Sequence, residues 1–302
     1  VNNTPLSAPL VSLSLPSKTF LVGEYAVLAN YPCAIIATEP RFRLSVFMLP
    51  ERNVACVYEG ICLKGVLALL CHEISEKLQG YHFIFNDPHH GQGGFGASSA
   101  QYALLYYAYQ KLLSHEVHIT ECLHQYRTHT KREKIRASGA DLIGQLNGKL
   151  TLCCPADDYY EAPLEWPWPH LNATLFKTSY KIATHEHLST LSDFPKNTLG
   201  QITKTSIEAI KIKDAGAFIK SIQMFSEALS EAALYCDETL RLLEEINRSP
   251  FVLAAKGCGA LGADVILVLI ENKNRAAFRE WIQKLPLKYA SDVQNLSRGL
   301  ST

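Results

Sequence analysis

"GQGGFGASSA", residues 91–100, is the stretch on which the reading of the fold turns. Four of its first six residues are glycine, and two serines follow. Glycine loses more freedom on folding than any other residue, so a dense cluster marks a sharp turn or a close approach by the backbone. Tyr102, Leu105, Tyr106, Tyr109, Leu112 and Leu113 then recur at helical spacing, the pattern of a helix facing a core. A glycine-rich turn that runs into a helix presents free amides and the positive helix end to an anion. A tight turn capped by serine explains the same letters. From this stretch alone the two readings stand level.

Two named phosphate motifs fit poorly. Gly91, Gly93 and Gly96 match G-x-G-x-x-G, but a dinucleotide fold wants that pattern after the first strand of a βαβ unit. Here it follows an apparent antiparallel meander, and Glu116, 20 residues beyond Gly96, ends a helix instead of a strand. A P-loop needs G-x-x-x-x-G-K-[ST]. Gly91, Gly96 and Ser98 fit that spacing, yet Ala97 stands where the phosphate-binding lysine belongs.

The rest of the chain sets the frame. Its 302 residues suffice for one large domain or two ordinary ones, and 47% apolar content supports a packed core. Lys plus Arg equals Asp plus Glu at 29 each, which removes any general electrostatic case for nucleic acid or an anionic membrane. The nine cysteines show no C-x-x-C pair and read as reduced, mostly buried thiols. No signal peptide and no span of ~20 apolar residues is visible, so a cytoplasmic protein is expected.

Along the chain, Val11, Leu13 and Leu15 alternate with serine as in a strand, which Pro16 is expected to interrupt. Residues 33–40 and 43–49 read as two strands separated near Pro40. Helices are expected over 66–78, after the glycine cluster, over 119–135, and over two long periodic stretches between 199 and 236. Strands are expected at 81–87, 148–155 and 262–270, with a closing helix at 275–285. The proline- and tryptophan-rich "PLEWPWPHL", 163–171, marks a boundary, giving domains 1–165 and 166–302.

Three segments, in order, resemble the motifs of the GHMP kinases. They are "LPSKTFLVGEYAVLANYPCAIIA" (15–37), "GFGASSA" (94–100) and "KGCGALGADVILVL" (256–269). The resemblance implies an α+β, two-domain fold: an N-terminal mixed α/β domain with a left-handed-type phosphate-loop unit, and a ferredoxin-like α+β C-terminal domain. It also implies ATP and Mg²⁺ as cofactors. Gly93, Gly94, Phe95, Gly96, Ala97, Ser98 and Ser99 would hold the triphosphate, with Ser98 as the Mg²⁺ ligand and Ser99 the alternate. "RASGADLIGQLNGKL" resembles the family's S-G-x-D segment, which makes Asp141 the residue that accepts or orients the acceptor's proton. Lys18 would pair with it. Ser138 and Gly139 would let substrate lie against the backbone.

The acceptor reading follows finer marks. "GEYAVL", with Glu24 and Tyr25, and "AKGCGALGAD", with Lys256 and Gly259, resemble phosphomevalonate kinases more than mevalonate kinases. Mevalonate kinases usually carry a Mg-binding glutamate eleven residues before the catalytic aspartate; here that place is Thr130, with Glu133 three residues away. A phosphorylated acceptor needs further cations, for which Lys181, Lys256 and the basic run 129–136 are candidates. The expected function is thus an ATP-dependent phosphomevalonate kinase of isoprenoid precursor synthesis. Mevalonate kinase is the alternative, and a catalytically silent ligand- or partner-binding protein of the same fold the alternative of another class. A small-molecule substrate, no nucleic acid or membrane partner, and a monomer or homodimer are expected. Ser17, Leu261 and Ala263 depart from family glycines.

Overall fold

Strand β1 (Val11–Val22) opens with the expected alternation, Val11, Leu13 and Leu15 buried and Ser12 exposed. The computed structural model describes residues 8–131, 137–179, 194–259, 262 and 264–302. From Leu15 onward almost every residue of β1 is buried, so Lys18 lies inside the molecule on a strand covered on both faces. Its partner β2 (Cys33–Met48) is a single strand and not two. Neither Pro16 nor Pro40 breaks its strand, because both sit at one irregularity in the β1–β2 ladder. Pro16 pairs with Arg41 and Ser17 with Thr38, which leaves Glu39 and Pro40 as the extra residues of a bulge. Bulges are where a strand tolerates proline.

Along its length β2 also pairs with β4 (Tyr81–Asn86) through Arg43–Met48 and with β5 (Leu150–Cys154) through Cys33–Ile36, both antiparallel. The short β3 (Val57–Glu59) joins β4 in parallel, and β6 (Tyr159–Tyr160) completes a six-stranded sheet at the β5 edge. Helices α1 (Gly65–Lys77), α2 (Ala97–Leu112), α3 (Ile119–Thr130) and α4 (Ala140–Asn147) pack on one another, and α2 and α4 lie on β1 and β2. Tyr102, Leu105 and Tyr109 face that core from α2, as their spacing predicts.

A second sheet has the order β10–β7–β9–β8, all antiparallel. Its strands are β7 (Leu171–Lys177), β8 (Val252–Cys258), β9 (Val265–Glu271) and β10 (Lys288–Asp292). Helices α5 (Lys196–Lys211) and α6 (Ala215–Glu231) pack together, α6 and α7 (Asp237–Asn247) lie against β8, and α8 (Arg275–Ile282) buries Phe278 beside Phe176. β3, α4, β6, β7, α7, β8 and β10 are not in the sequence expectation. Buried Asn172 and Thr174 interrupt the apolar signal of β7, and β10 is largely polar.

The boundary expected near 165 falls between β6 and β7, and the chain then crosses back. Isolated bridges Thr38–Leu296, Gly148–Arg298 and Ser14–Ser301 lay the last residues on the first sheet. Arg41 fixes this return by donating from Nη1 to Ser297 Oγ (2.6 Å) and Arg298 O (2.7 Å). All nine cysteines are free, and six are buried. Among the described residues no helix is long and apolar enough to cross a membrane.

Candidate active site

Three segments far apart in sequence converge where β1 passes beneath the start of α2. Lys18 N–H donates to Phe95 O at 3.0 Å, tying the strand to the glycine loop. Gly96 caps α2 with φ +84°, and a Cβ there would lie 2.8 Å from Lys18 Cγ. Only glycine allows both that dihedral and that approach. Gln145 on α4 completes the joint: its Nε2 donates to Pro16 O at 2.8 Å and its Oε1 accepts from Ser99 Oγ at 2.7 Å.

This joint places the chemistry. Ser138 Oγ accepts from Ala140 N at 3.2 Å where the chain turns into α4, and Asp141 sits in the first turn of that helix. Lys18 Nζ reaches Asp141 Oδ1 at 2.6 Å. The lysine side chain is 9% exposed and the aspartate 42%, so the carboxylate faces outward with the ammonium held behind it. Of the two loop hydroxyls, Ser99 is buried and bonded to Gln145, whereas Ser98 is exposed on the first turn of α2. Phe95 points its ring inward at 1% exposure, so only its backbone is placed to face the loop's outer side.

The C-terminal glycine motif closes on the same loop. A Cβ on Gly93 would lie 2.3 Å from Asp264 Oδ1, and one on Gly259 would lie 2.5 Å from Asp264 Oδ2. The Asp264 side chain therefore fits between two glycines from different motifs. Thr178 anchors it from below, donating from its N–H and its hydroxyl to Asp264 O at 3.3 Å each.

Glu24 and Lys256 are brought together, but as partners of each other. Lys256 is fully buried, donates to Glu24 Oε1, and lies 3.2 Å from Cys258 Sγ. Burial pulls the Lys256 ammonium down, but Cys258, Glu24 and Tyr235 outweigh it and hold the group above the ordinary lysine range. Burial pushes the Cys258 thiol up to about 11 despite that ammonium. Tyr25 is 6% exposed, with φ +62°, and its ring lies 6.1 Å from that of Phe194. This group links the two sheets beside the site, and in it the Lys256 ammonium is taken up by Glu24. Lys181, Glu133, Leu261, Ala263 and residues 132–136 lie outside the described residues. Gln145, Asp264 and His89 escape the sequence reading as site residues. Gln145 carries a signal, four residues after Asp141 on the same helix, and Asp264 ends the quoted motif 255–264; His89 carries none.

No protein-family profile matches the chain, and no curated protein matches it. Solved structures do. The chain is similar to the mevalonate kinase of Methanococcus jannaschii, with 16% identity over 95% of this chain and 98% of that one, at a TM-score of 0.73. It is similar to the phosphomevalonate kinase of Streptococcus pneumoniae, with 15% identity over 94% and 99% and a TM-score of 0.76. It is similar to the galactokinase of Lactococcus lactis solved with galactose, with 14% identity over 96% and 94% and a TM-score of 0.73. The chain has the fold of the GHMP kinases. Those three enzymes differ in the acceptor their names declare, so the shared fold by itself names no acceptor.

Proposed function

We propose that this chain is an ATP-dependent small-molecule kinase that transfers the γ-phosphate of ATP to phosphomevalonate. The carrying observation is the Lys18–Asp141 pair, 2.6 Å apart, on a lysine whose stem lies directly under Gly96, the last glycine of a helix-capping phosphate cradle. Phosphoryl transfer needs little covalent help; positioning and charge neutralisation supply most of the rate. The backbone of residues 93–99 and the α2 end receive the triphosphate. Exposed Ser98 would meet a Mg²⁺ ion carried by the nucleotide, which there neutralises phosphate charge. Asp141 accepts or orients the acceptor hydroxyl's proton. Lys18, paired with Asp141, balances the charge that develops on the transferred group.

A hollow of about 280 Å³ opens beside Ser138, lined also by Val27, Leu28, Asn30, Arg127 and Pro155. Its cation is Arg127, which donates to Asp158 and to Pro155 O. A small acceptor with an apolar body suits that lining. Mevalonate is the second reading, favoured by the engagement of Lys256 with Glu24, which removes one cation expected for a second phosphate. ADP release with ATP and each of phosphomevalonate, mevalonate and homoserine tests the assignment. Turnover greatest with phosphomevalonate supports it. ATP binding with no turnover on any acceptor favours a silent binding protein.

A further inference from the structure

Behind the glycine loop lies a histidine that the phosphoryl chemistry does not use. His89 is 3% exposed. Its ring stacks on Phe95 of the loop, with centroids 4.0 Å apart and planes 9° from parallel, and Phe42 lies tilted at 5.6 Å. Its Nε2 lies 2.6 Å from Ser17 Oγ. Ser17 is fully buried, and its hydroxyl donates to Pro40 O at 2.6 Å. A hydroxyl has one proton, so the imidazole is the donor in the other contact and carries its hydrogen on Nε2.

One ring thus touches both halves of the site. Ser17 precedes Lys18 on β1, and Phe95 is the loop residue whose carbonyl accepts from Lys18 N–H. Stacking and the hydrogen bond act at right angles to each other: one presses on the loop, the other holds the strand at its bulge. We propose that His89 is a positioning residue, a strut that sets the glycine loop against the Lys18 strand so that loop amides and ammonium face one triphosphate. The strut rests on the kinase reading only for the identity of the ligand. It also gives Ser17 a role: where the family motif has glycine, this chain uses a hydroxyl that His89 engages. The imidazole is neutral until about pH 4, because burial, then Lys177 and His90, disfavour its charge more than Asp87 favours it. It therefore serves as a donor and adds no charge behind the loop at neutral pH.

Two substitutions separate the two contacts. His89→Phe keeps a stacking ring and loses the donor; His89→Gln keeps a donor and loses the ring. Hydrogen exchange is read on the free protein, and AMPPNP affinity by calorimetry. The strut predicts faster exchange of the amides of residues 93–99 in both variants, with the β7–β10 sheet unchanged. It predicts AMPPNP binding weakened about tenfold, the worth of one buried hydrogen bond. KM for ATP should rise by more than kcat falls. The double variant His89→Phe/Ser17→Ala should lose less than the sum of the singles, because they share a bond. Unchanged loop exchange in His89→Phe, or exchange raised equally across both sheets, overturns the strut. A wild-type protein that binds no AMPPNP overturns the kinase reading instead, and loop exchange then decides the strut by itself.

Discussion

Lys18 Nζ lies 2.6 Å from Asp141 Oδ1, and Lys18 Cγ lies under Gly96, so one side chain joins the first turn of α4 to the glycine loop that opens α2. Lys18→Met keeps the stem that packs beneath Gly96 and removes the charge. On the proposed mechanism it should lower kcat by about 10²–10³, as for the loss of one electrostatic stabiliser. Initial rates at saturating ATP check this, and the melting midpoint, set mostly by the retained stem, should move little.

Gly96→Ala should damage the site from the other side. The φ of +84° strains any other residue by about 1–2 kcal/mol, and the new methyl would meet Lys18 Cγ at 2.8 Å. Loss of AMPPNP binding together with a lowered melting midpoint is expected. Gly91→Ala is the control, because a Cβ there meets nothing within 4 Å; it should carry only the backbone penalty.

The Glu24–Lys256 pair crosses from the first sheet's chain to the second sheet. Removing one partner leaves a buried charge, so Lys256→Met should destabilise the fold by about 3–5 kcal/mol. Glu24→Leu/Lys256→Met removes both charges and should recover most of that loss. Urea unfolding at neutral pH measures both, and a single variant as stable as wild type would show the pair to be dispensable.

Acid should act through His89. The ring is held at about 4 against an ordinary 6.5. Between those values the unfolded chain binds a proton that the folded chain refuses, so stability falls as pH drops from 6.5 to about 4 and then levels off. Denaturation midpoints across this window should slope less steeply in His89→Phe than in wild type, by up to one proton's contribution. Equal slopes would remove His89 from the acid response.

The sequence carries those parts of the site that are local. Gly93 to Gly96 stand out by composition, whereas Asp141 is reached only through the resemblance of its segment to the S-G-x-D motif. The long helices follow from their period. Much of the rest depends on contacts between distant residues. Pro16 and Pro40 look like breaks, and only the β1–β2 pairing turns them into two sides of one bulge. Lys256 reads as a cation for substrate, but its role is set by Glu24, 232 residues away. His89 has no motif at all; its meaning comes from Ser17 on one strand and Phe95 on a loop.

The most direct measurement is single-turnover transfer of the γ-phosphate from ATP to phosphomevalonate, with wild type and Asp141→Asn at saturating nucleotide. The account predicts transfer by wild type and a rate about 10²–10⁴ lower in the variant, the range for a lost general base, with AMPPNP affinity retained. Equal transfer rates in the two proteins would contradict it.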